Sequence, residues 1–152
     1  ISHQKLNDII VIIDHNKIQS SQFVKNIIDL KDLKKKIESF GWHVERCDGH
    51  DFKKLNKVFN NFSKIKNKPK LLIADTIKGK GVSFMEHPDV MRRQKIYSWH
   101  AGAPNDQSFV KAQNELINKI KIRFKKISFT PPKIININDK EKLNLNSNIE
   151  IH

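Results

Sequence analysis

From Ile9 to Ile13 the chain runs Ile-Ile-Val-Ile-Ile without a polar break, then turns polar at Asp14-His15-Asn16. A continuous β-branched run of that length predicts a strand covered on both faces of a parallel sheet. The period then changes. Ile27, Leu30, Leu33, Ile37 and Phe40 recur at helical spacing and the segment closes at Gly41, which predicts one helix. His43 to Cys47 reads as a second strand. Asp48-Gly49-His50-Asp51 is a turn that places Asp51 to cap a helix with Phe52, Leu55, Val58, Phe59, Phe62 and Ile65 as its apolar stripe. Pro69 ends that connection, and Leu71-Leu72-Ile73-Ala74 reads as a third strand. Gly79-Lys80-Gly81 opens a long loop running to Pro104, and a last amphipathic helix begins near Asp106 with Phe109, Ala112, Leu116, Ile120 and Phe124 on one face. Beyond Ile127 the pattern dissolves into Pro131-Pro132 and an asparagine-rich stretch. Residues 1–127 therefore read as the folded domain and 128–152 as a linker or disordered tail.

Strand, helix, strand, helix, strand predicts an α/β fold, part of a doubly wound parallel sheet. In such sheets ligands sit beyond the carboxyl ends of the strands. The polar segments 14–19, 48–51 and 76–81 should converge there.

Composition narrows the function classes. At 152 residues the chain is one domain's worth, and 38% hydrophobic content suffices for a core. No apolar run approaches the ~18 residues of a membrane helix, so no membrane partner is expected. One cysteine, Cys47, excludes a disulfide framework within the chain and points to a reducing, cytoplasmic setting. The net charge of +13 invites a nucleic-acid reading, but only four of the 29 basic residues are arginine: Arg46, Arg92, Arg93 and Arg123. Base and phosphate readers lean on the bidentate guanidinium, whereas lysine is the ordinary solvated charge. A basic binding module is thus the minor alternative, and no nucleic-acid partner is expected. The first residue is Ile1 and no secretory leader is visible, so the sequence reads as a fragment, a processed product or a split subunit.

Three positions at the expected site carry chemistry. Asn16 follows the first strand, where an amide oxygen can meet a hard cation; alone, such an asparagine is usually a turn residue. Lys78, before Gly79-Lys80-Gly81, can neutralise a diphosphate, although a lone Gly-x-Gly is more often a turn with solvated lysines. His100, in Ser98-Trp99-His100-Ala101-Gly102-Ala103-Pro104, can touch a substrate or shuttle a proton, against the reading of a plain loop histidine. Cys47 reads as a small core residue, the histidines show no zinc-ligand spacing, and His50 beside Asp51 reads as part of a capping turn rather than a dyad.

Taken in order, these segments resemble the transketolase family. Ile9-Ile10-Val11-Ile12-Ile13-Asp14-His15-Asn16-Lys17-Ile18-Gln19 is similar to the second half of its thiamine diphosphate signature. Phe40-Gly41-Trp42-His43-Val44, Asp48-Gly49-His50-Asp51, Thr76-Ile77-Lys78-Gly79-Lys80-Gly81-Val82-Ser83-Phe84-Met85-Glu86, then Trp99-His100 and Ala103-Pro104-Asn105-Asp106 follow in family order. The resemblance covers roughly residues 5 to 120. It implies the thiamine diphosphate-binding fold, specifically the carboxyl half of the diphosphate-binding domain. It implies a transferase that moves a two-carbon ketol unit from a ketose phosphate to an aldose in carbohydrate metabolism, with thiamine diphosphate and Mg2+ (or Ca2+). Asn16 would bind the metal through its side chain and also contact the diphosphate. Ile18 would bind the same metal through its backbone carbonyl. Lys78 would lie near the cofactor, and His100 would face both cofactor and sugar as the catalytic and substrate-binding residue. The family's Gly-Asp-Gly segment and its cofactor-activating glutamate are not in this sequence. The resemblance assigns them to remaining domains or a second subunit, within a dimer, and leaves the isolated chain inactive. The stretch from Glu86 to Ser98 is longer than in many transketolases. Another thiamine diphosphate enzyme component, of synthase or 2-oxoacid dehydrogenase type, and an inactive remnant are the alternatives.

Overall fold

The computed structural model describes residues 3–132. The elements run β1 (Ile10–His15), β2 (Ile18–Gln19), β3 (Gln22–Phe23), α1 (Val24–Ile27), α2 (Leu33–Ser39), β4 (His43–Asp48), α3 (Phe52–Phe62), β5 (Lys70–Asp75), α4 (His87–Gln94) and α5 (Asp106–Lys126). β1, β5 and β4 form a three-stranded parallel sheet in that order. Register pairs Ile12 and Glu45 with Leu72, and His15 and Asp48 with Asp75, so all three strands end level with one another. The three polar segments meet at one edge, as the alternation predicts.

Side-chain alternation on β5 builds two cores. Leu72 and Ala74 pack with Val58 and Phe62 of α3, and Leu71 and Ile73 pack with Val44 against Leu33 and Ile37 of α2. Helices on opposite faces make the sheet doubly wound, in agreement with the expected α/β class. Asp51 caps α3 as expected: its Oδ1 accepts from the backbone N–H of Lys53 at 2.9 Å and of Lys54 at 3.1 Å. Ile18, Val90, Met91 and Tyr97 form a third cluster at the β2–β3 hairpin, with Phe23 and Trp99 against it.

Four expectations are corrected. The strand covered on both faces is β5, whereas β1 lies at the sheet's edge and leaves Ile10 45% and Ile12 56% exposed. The single helix from Ile27 to Phe40 is two helices, α1 and α2. Between them Asp29 Oδ1 accepts from Lys31 N–H, Lys31 takes φ 52°, and Asp32 caps α2 by accepting from Lys35 N–H at 3.0 Å. Those aspartates offer the backbone partners that a continuous helix would not use. The loop from Gly79 to Pro104 contains α4, and the polar segment after β1 contains the β2–β3 hairpin.

The last helix starts at Asp106 as expected, but none of its residues is buried. Residues up to Ala112 belong to one compact unit and those from Gln113 to another, of which the remainder of α5 and the residues to 132 are described. Most of the expected tail, 133–152, lies outside the described residues.

Candidate functional site at the carboxyl edge of the sheet

Asp14, near the end of β1, is the centre of this edge. Thr76, just past β5, donates its hydroxyl to Asp14 Oδ1, and Asn16 donates Nδ2 to Asp14 Oδ2 at 2.9 Å. Burial works to raise the Asp14 pKa. The hydrogen bonds from Thr76 and Asn16 and the charges of Lys78 and His50 outweigh it and hold the carboxyl below its ordinary range. Asn16 Oδ1 accepts from Ile18 N–H at 2.9 Å. Asn16 is therefore a turn residue, and the same turn lays its amide oxygen against the backbone of Ile18. The Ile18 side chain is buried beneath.

Two histidines fix the backbone around Lys78. Ile77 N–H donates to His50 Nε2 at 2.8 Å, and Lys78 N–H donates to His87 Nδ1 at 3.1 Å. In return His87 N–H donates to the Lys78 carbonyl at 2.9 Å. Burial, then the neighbouring charge of Lys17, lowers the His87 pKa and keeps its ring a neutral acceptor. The Lys78 ammonium lies 5.6 Å from the centroid of the Tyr97 ring, and Tyr97 packs with Ile18. Asn16, Ile18 and Lys78 are thus brought together through Asp14 and Tyr97. His100 is exposed beside the half-buried Trp99, with no hydrogen bond to the other three among the described residues.

The other end of the edge holds an ion cluster. Asp75 Oδ2 accepts from Arg46 Nε at 2.7 Å, while Oδ1 accepts from Arg46 Nη2 at 2.8 Å and pairs with His15 Nδ1 at 2.7 Å. The Arg46 hydrogen bonds, opposed by burial and aided by His15, pull the Asp75 carboxyl down to about 2. A cavity of about 330 Å³ opens beside His15, with Lys17, Lys25 and Lys31 among its lining. Cys47 is half-buried against the α3 core, and burial, with Asp48 next to it, pushes its thiol pKa up, away from the thiolate form. His50 turns to Ile77, in line with the reading that it forms no dyad with Asp51.

The donor set fits a hard cation and an anionic group. Asn16 Oδ1 provides a neutral oxygen in the turn, where it accepts from Ile18 N–H, and Lys78 provides positive charge beyond Asp14. Sequence reasoning missed Asp14, Thr76, His50 and His87 as partners. Asp14, Thr76 and His50 lie in the three polar segments expected to converge, but their bonding partners follow only from β1, β4 and β5 ending together; His87, at the start of α4 inside the expected loop, had no signal.

Residues 1–90 match the transketolase thiamine diphosphate binding domain family. Among curated proteins, the chain is 32% identical over 116 residues to one subunit of an apulose-4-phosphate transketolase from Phocaeicola vulgatus. That match covers 76% of this chain and 38% of the relative. It is 35% identical over 83 residues to a 6-deoxy-6-sulfo-D-fructose transketolase subunit of a Clostridium species, covering 55% of this chain and 30% of the relative. Against human transketolase identity is 31% over 129 residues, 84% of this chain and 19% of that protein. Among solved structures, transketolase from Campylobacter jejuni superposes over 93% of this chain and 24% of its own, with a TM-score of 0.51 at 20% identity. The chain thus spans well under half the length of these relatives.

Proposed function

The chain belongs to the transketolase family through its thiamine diphosphate binding domain, and on that premise we propose that it forms the diphosphate-binding part of a transketolase. The reaction is transfer of a two-carbon ketol unit from a ketose phosphate to an aldose, with thiamine diphosphate and Mg2+. When bound, the cofactor supplies the carbanion chemistry. In this reading Asn16 holds the metal by its amide oxygen and also touches the diphosphate. Ile18 holds the metal by its carbonyl, and Lys78 neutralises the diphosphate. His50 and His87 are positioning residues that hold the Lys78 backbone. His100, on the exposed loop, orients the sugar and holds a proton at its imidazole. A second subunit or further domain contributes an acidic metal ligand and a glutamate for cofactor activation. The relatives named as transketolase subunits support that division.

One observation carries the proposal: Asp14 ties the Asn16–Ile18 turn after β1 to the Thr76–Lys78 segment after β5. An oxygen donor and a cation are thereby brought to one point on the edge where α/β sheets bind ligands.

In the enzyme completed by its partner, Asn16→Ala should weaken Mg2+-dependent cofactor binding by at least about tenfold, the range seen even for outer-sphere partners of a metal. Ile18→Val should leave that affinity intact, since the ligand is the main chain, and cost about 1 kcal/mol of stability from its buried site. Cofactor titrations with a parallel urea melt separate the two effects. Equal and large losses of affinity, with both variants folded, would overturn the assignment of Ile18.

A further inference from the structure

The second half of α5 takes no part in the assignments at the sheet edge. No residue of this helix is buried, and from Gln113 onward it belongs to a compact unit of its own. Leu116, Ile117, Ile120, Phe124 and Ile127 fall within one arc of about 100° on the helix surface. Leu116 is 41%, Ile120 39% and Ile127 58% exposed. An apolar stripe of this kind ordinarily faces a core; here it faces outward.

The end of the helix extends the arc. Ser128 takes φ 56° and donates its N–H to the Lys125 carbonyl at 3.2 Å, while Phe129 N–H donates to the Phe124 carbonyl at 3.0 Å. This pair of bonds is a Schellman motif, which turns the chain back over the last helical turn and brings Phe129 round toward Phe124. Phe129 is nevertheless 69% exposed. A second aromatic is thus added to the same bare surface.

Charge along α5 is segregated. Its acidic residues are Asp106 and Glu115, and none follows between Leu116 and Pro132. Lys119, Lys121, Arg123, Lys125 and Lys126 put five cations into the eight positions from Lys119. Lys119 pairs with Glu115 at 2.7 Å, and no other carboxylate lies on these turns. Cations in the last turn complement the helix dipole, which accounts for Arg123, Lys125 and Lys126 but not for Lys121 a turn earlier, nor for the bare arc. At helical spacing Lys121 borders one side of that arc, and Arg123 and Lys119 border the other. On the latter side Lys119, Arg123, Lys126 and Ile122 line a cavity of about 380 Å³, room for one anionic headgroup.

We propose that the second half of α5, with Phe129, is an interfacial helix that docks this chain on an anionic lipid bilayer. The apolar arc enters the boundary between headgroups and acyl chains, and the lysine stems run along it to leave their ammonium groups among the headgroups. A protein groove seats a helix through a few anchors on one seam. Cations on both borders of the arc suit a planar anionic surface better, since such a surface meets both borders at once. No helix among the described residues is long and apolar enough to cross a membrane, and the expectation of no membrane partner rested on that criterion alone; a helix lying in the interface does not have to meet it. Neither cofactor nor metal is involved, so this docking stands or falls apart from the ketol-transfer reading.

The test is co-sedimentation of the full chain with vesicles of phosphatidylcholine and phosphatidylserine, beside vesicles of phosphatidylcholine alone, at physiological salt. Binding to the anionic vesicles should saturate and be at least about tenfold tighter than to the neutral ones. Lys125→Gln with Lys126→Gln should weaken it by about tenfold. Ile120→Ser and Phe129→Ser should each weaken it several-fold. Lys57→Gln with Lys64→Gln, an equal loss of charge at exposed positions of α3 and just after it, should leave it unchanged. Because α5 buries none of its residues, all these variants should keep the wild-type urea midpoint, so a loss of binding is not a loss of fold. No sedimentation of the wild type with anionic vesicles would overturn the proposal and leave the arc to a protein groove. Wild-type binding by Ile120→Ser and Phe129→Ser would refute insertion. A loss in the Lys57 and Lys64 variant as large as in the Lys125 and Lys126 variant would reduce the effect to attraction by the net charge and refute the assignment to α5.

Discussion

Asp75 shows how much of this sheet edge depends on one carboxylate. Arg46 grips both its oxygens and His15 shares one of them, which draws its pKa from 3.8 down to about 2. A carboxylate with a depressed folded pKa stabilises fully above its unfolded value and loses that contribution as pH falls through the folded one. Asp75→Asn should therefore cost about 1 kcal/mol at neutral pH, allowing for solvent screening of a pair with Arg46 well exposed. The gap between wild type and variant in urea denaturation should close between pH 3.8 and about 2. His87 obeys the same sign in a different window. Its ring accepts from Lys78 N–H only while neutral, and its pKa is lowered from 6.5 by burial. The hydrogen bond it makes should be intact above pH 6.5 and lost as pH falls through the depressed folded value. Amide exchange at Lys78, corrected for intrinsic rates, should show the loss of protection, and His87→Gln should lack that pH step.

Elements show where local pattern stops being sufficient. The loop after β5 turns back on itself at Gly79, which takes φ +80°, and a Cβ there would stand 2.2 Å from the Met85 carbonyl oxygen. Gly102 shares the positive φ, at +84°, but has nothing within 4 Å of such a Cβ. Gly102→Ala should cost only the left-handed backbone penalty of about 1 kcal/mol. Gly79→Ala should cost that plus a backbone clash and so displace the start of α4, which urea midpoints and the Lys78 amide shift would both report. Sequence periodicity does convey the sheet, α3 with its Asp51 cap, and the start of α5, because those signals are local. It misplaces the doubly covered strand because Ile9–Ile13 and Leu71–Ala74 look alike, and only the long-range order β1-β5-β4 decides which one is central. It fuses α1 and α2 because apolar spacing continues across Asp29 and Asp32, while those side chains bind the backbone locally and stop the helix. At the site, Asn16 and Lys78 stand out as residue types in the right segments. The bonds from Thr76 to Asp14, His50 to Ile77 and His87 to Lys78 span 62, 27 and 9 residues and follow from the fold.

At the scale of the whole molecule, the decisive question is what this chain does without a partner. Its proposed metal oxygens are one amide and one carbonyl, both uncharged. Among the described residues no group of three His, Cys, Asp or Glu side chains is placed to hold a metal ion. Asp14 is the nearest carboxylate to Asn16 in the site, and both its oxygens are engaged, by Thr76 and by the Asn16 amide itself. Recruiting Asp14 to a metal would sacrifice those bonds. Magnesium gives up its water reluctantly and relies on carboxylate as well as phosphate charge. The 152-residue chain alone should therefore bind thiamine diphosphate weakly and without strong Mg2+ dependence, and show no ketol transfer. The +13 charge will still attract a diphosphate, but that attraction should fade as salt shortens the screening length to about 8 Å at physiological strength. With the partner added, binding should tighten and become Mg2+-dependent, and turnover should appear. His100→Ala should then lower turnover by about 10² or more while leaving cofactor affinity nearly unchanged, as for a single positioned acid–base group. Calorimetry with cofactor and Mg2+ at physiological salt, run beside a ketol-transfer assay, separates these outcomes. Tight, Mg2+-dependent binding by the chain alone would overturn the need for a partner's carboxylate and make Asp14 the ligand to mutate first.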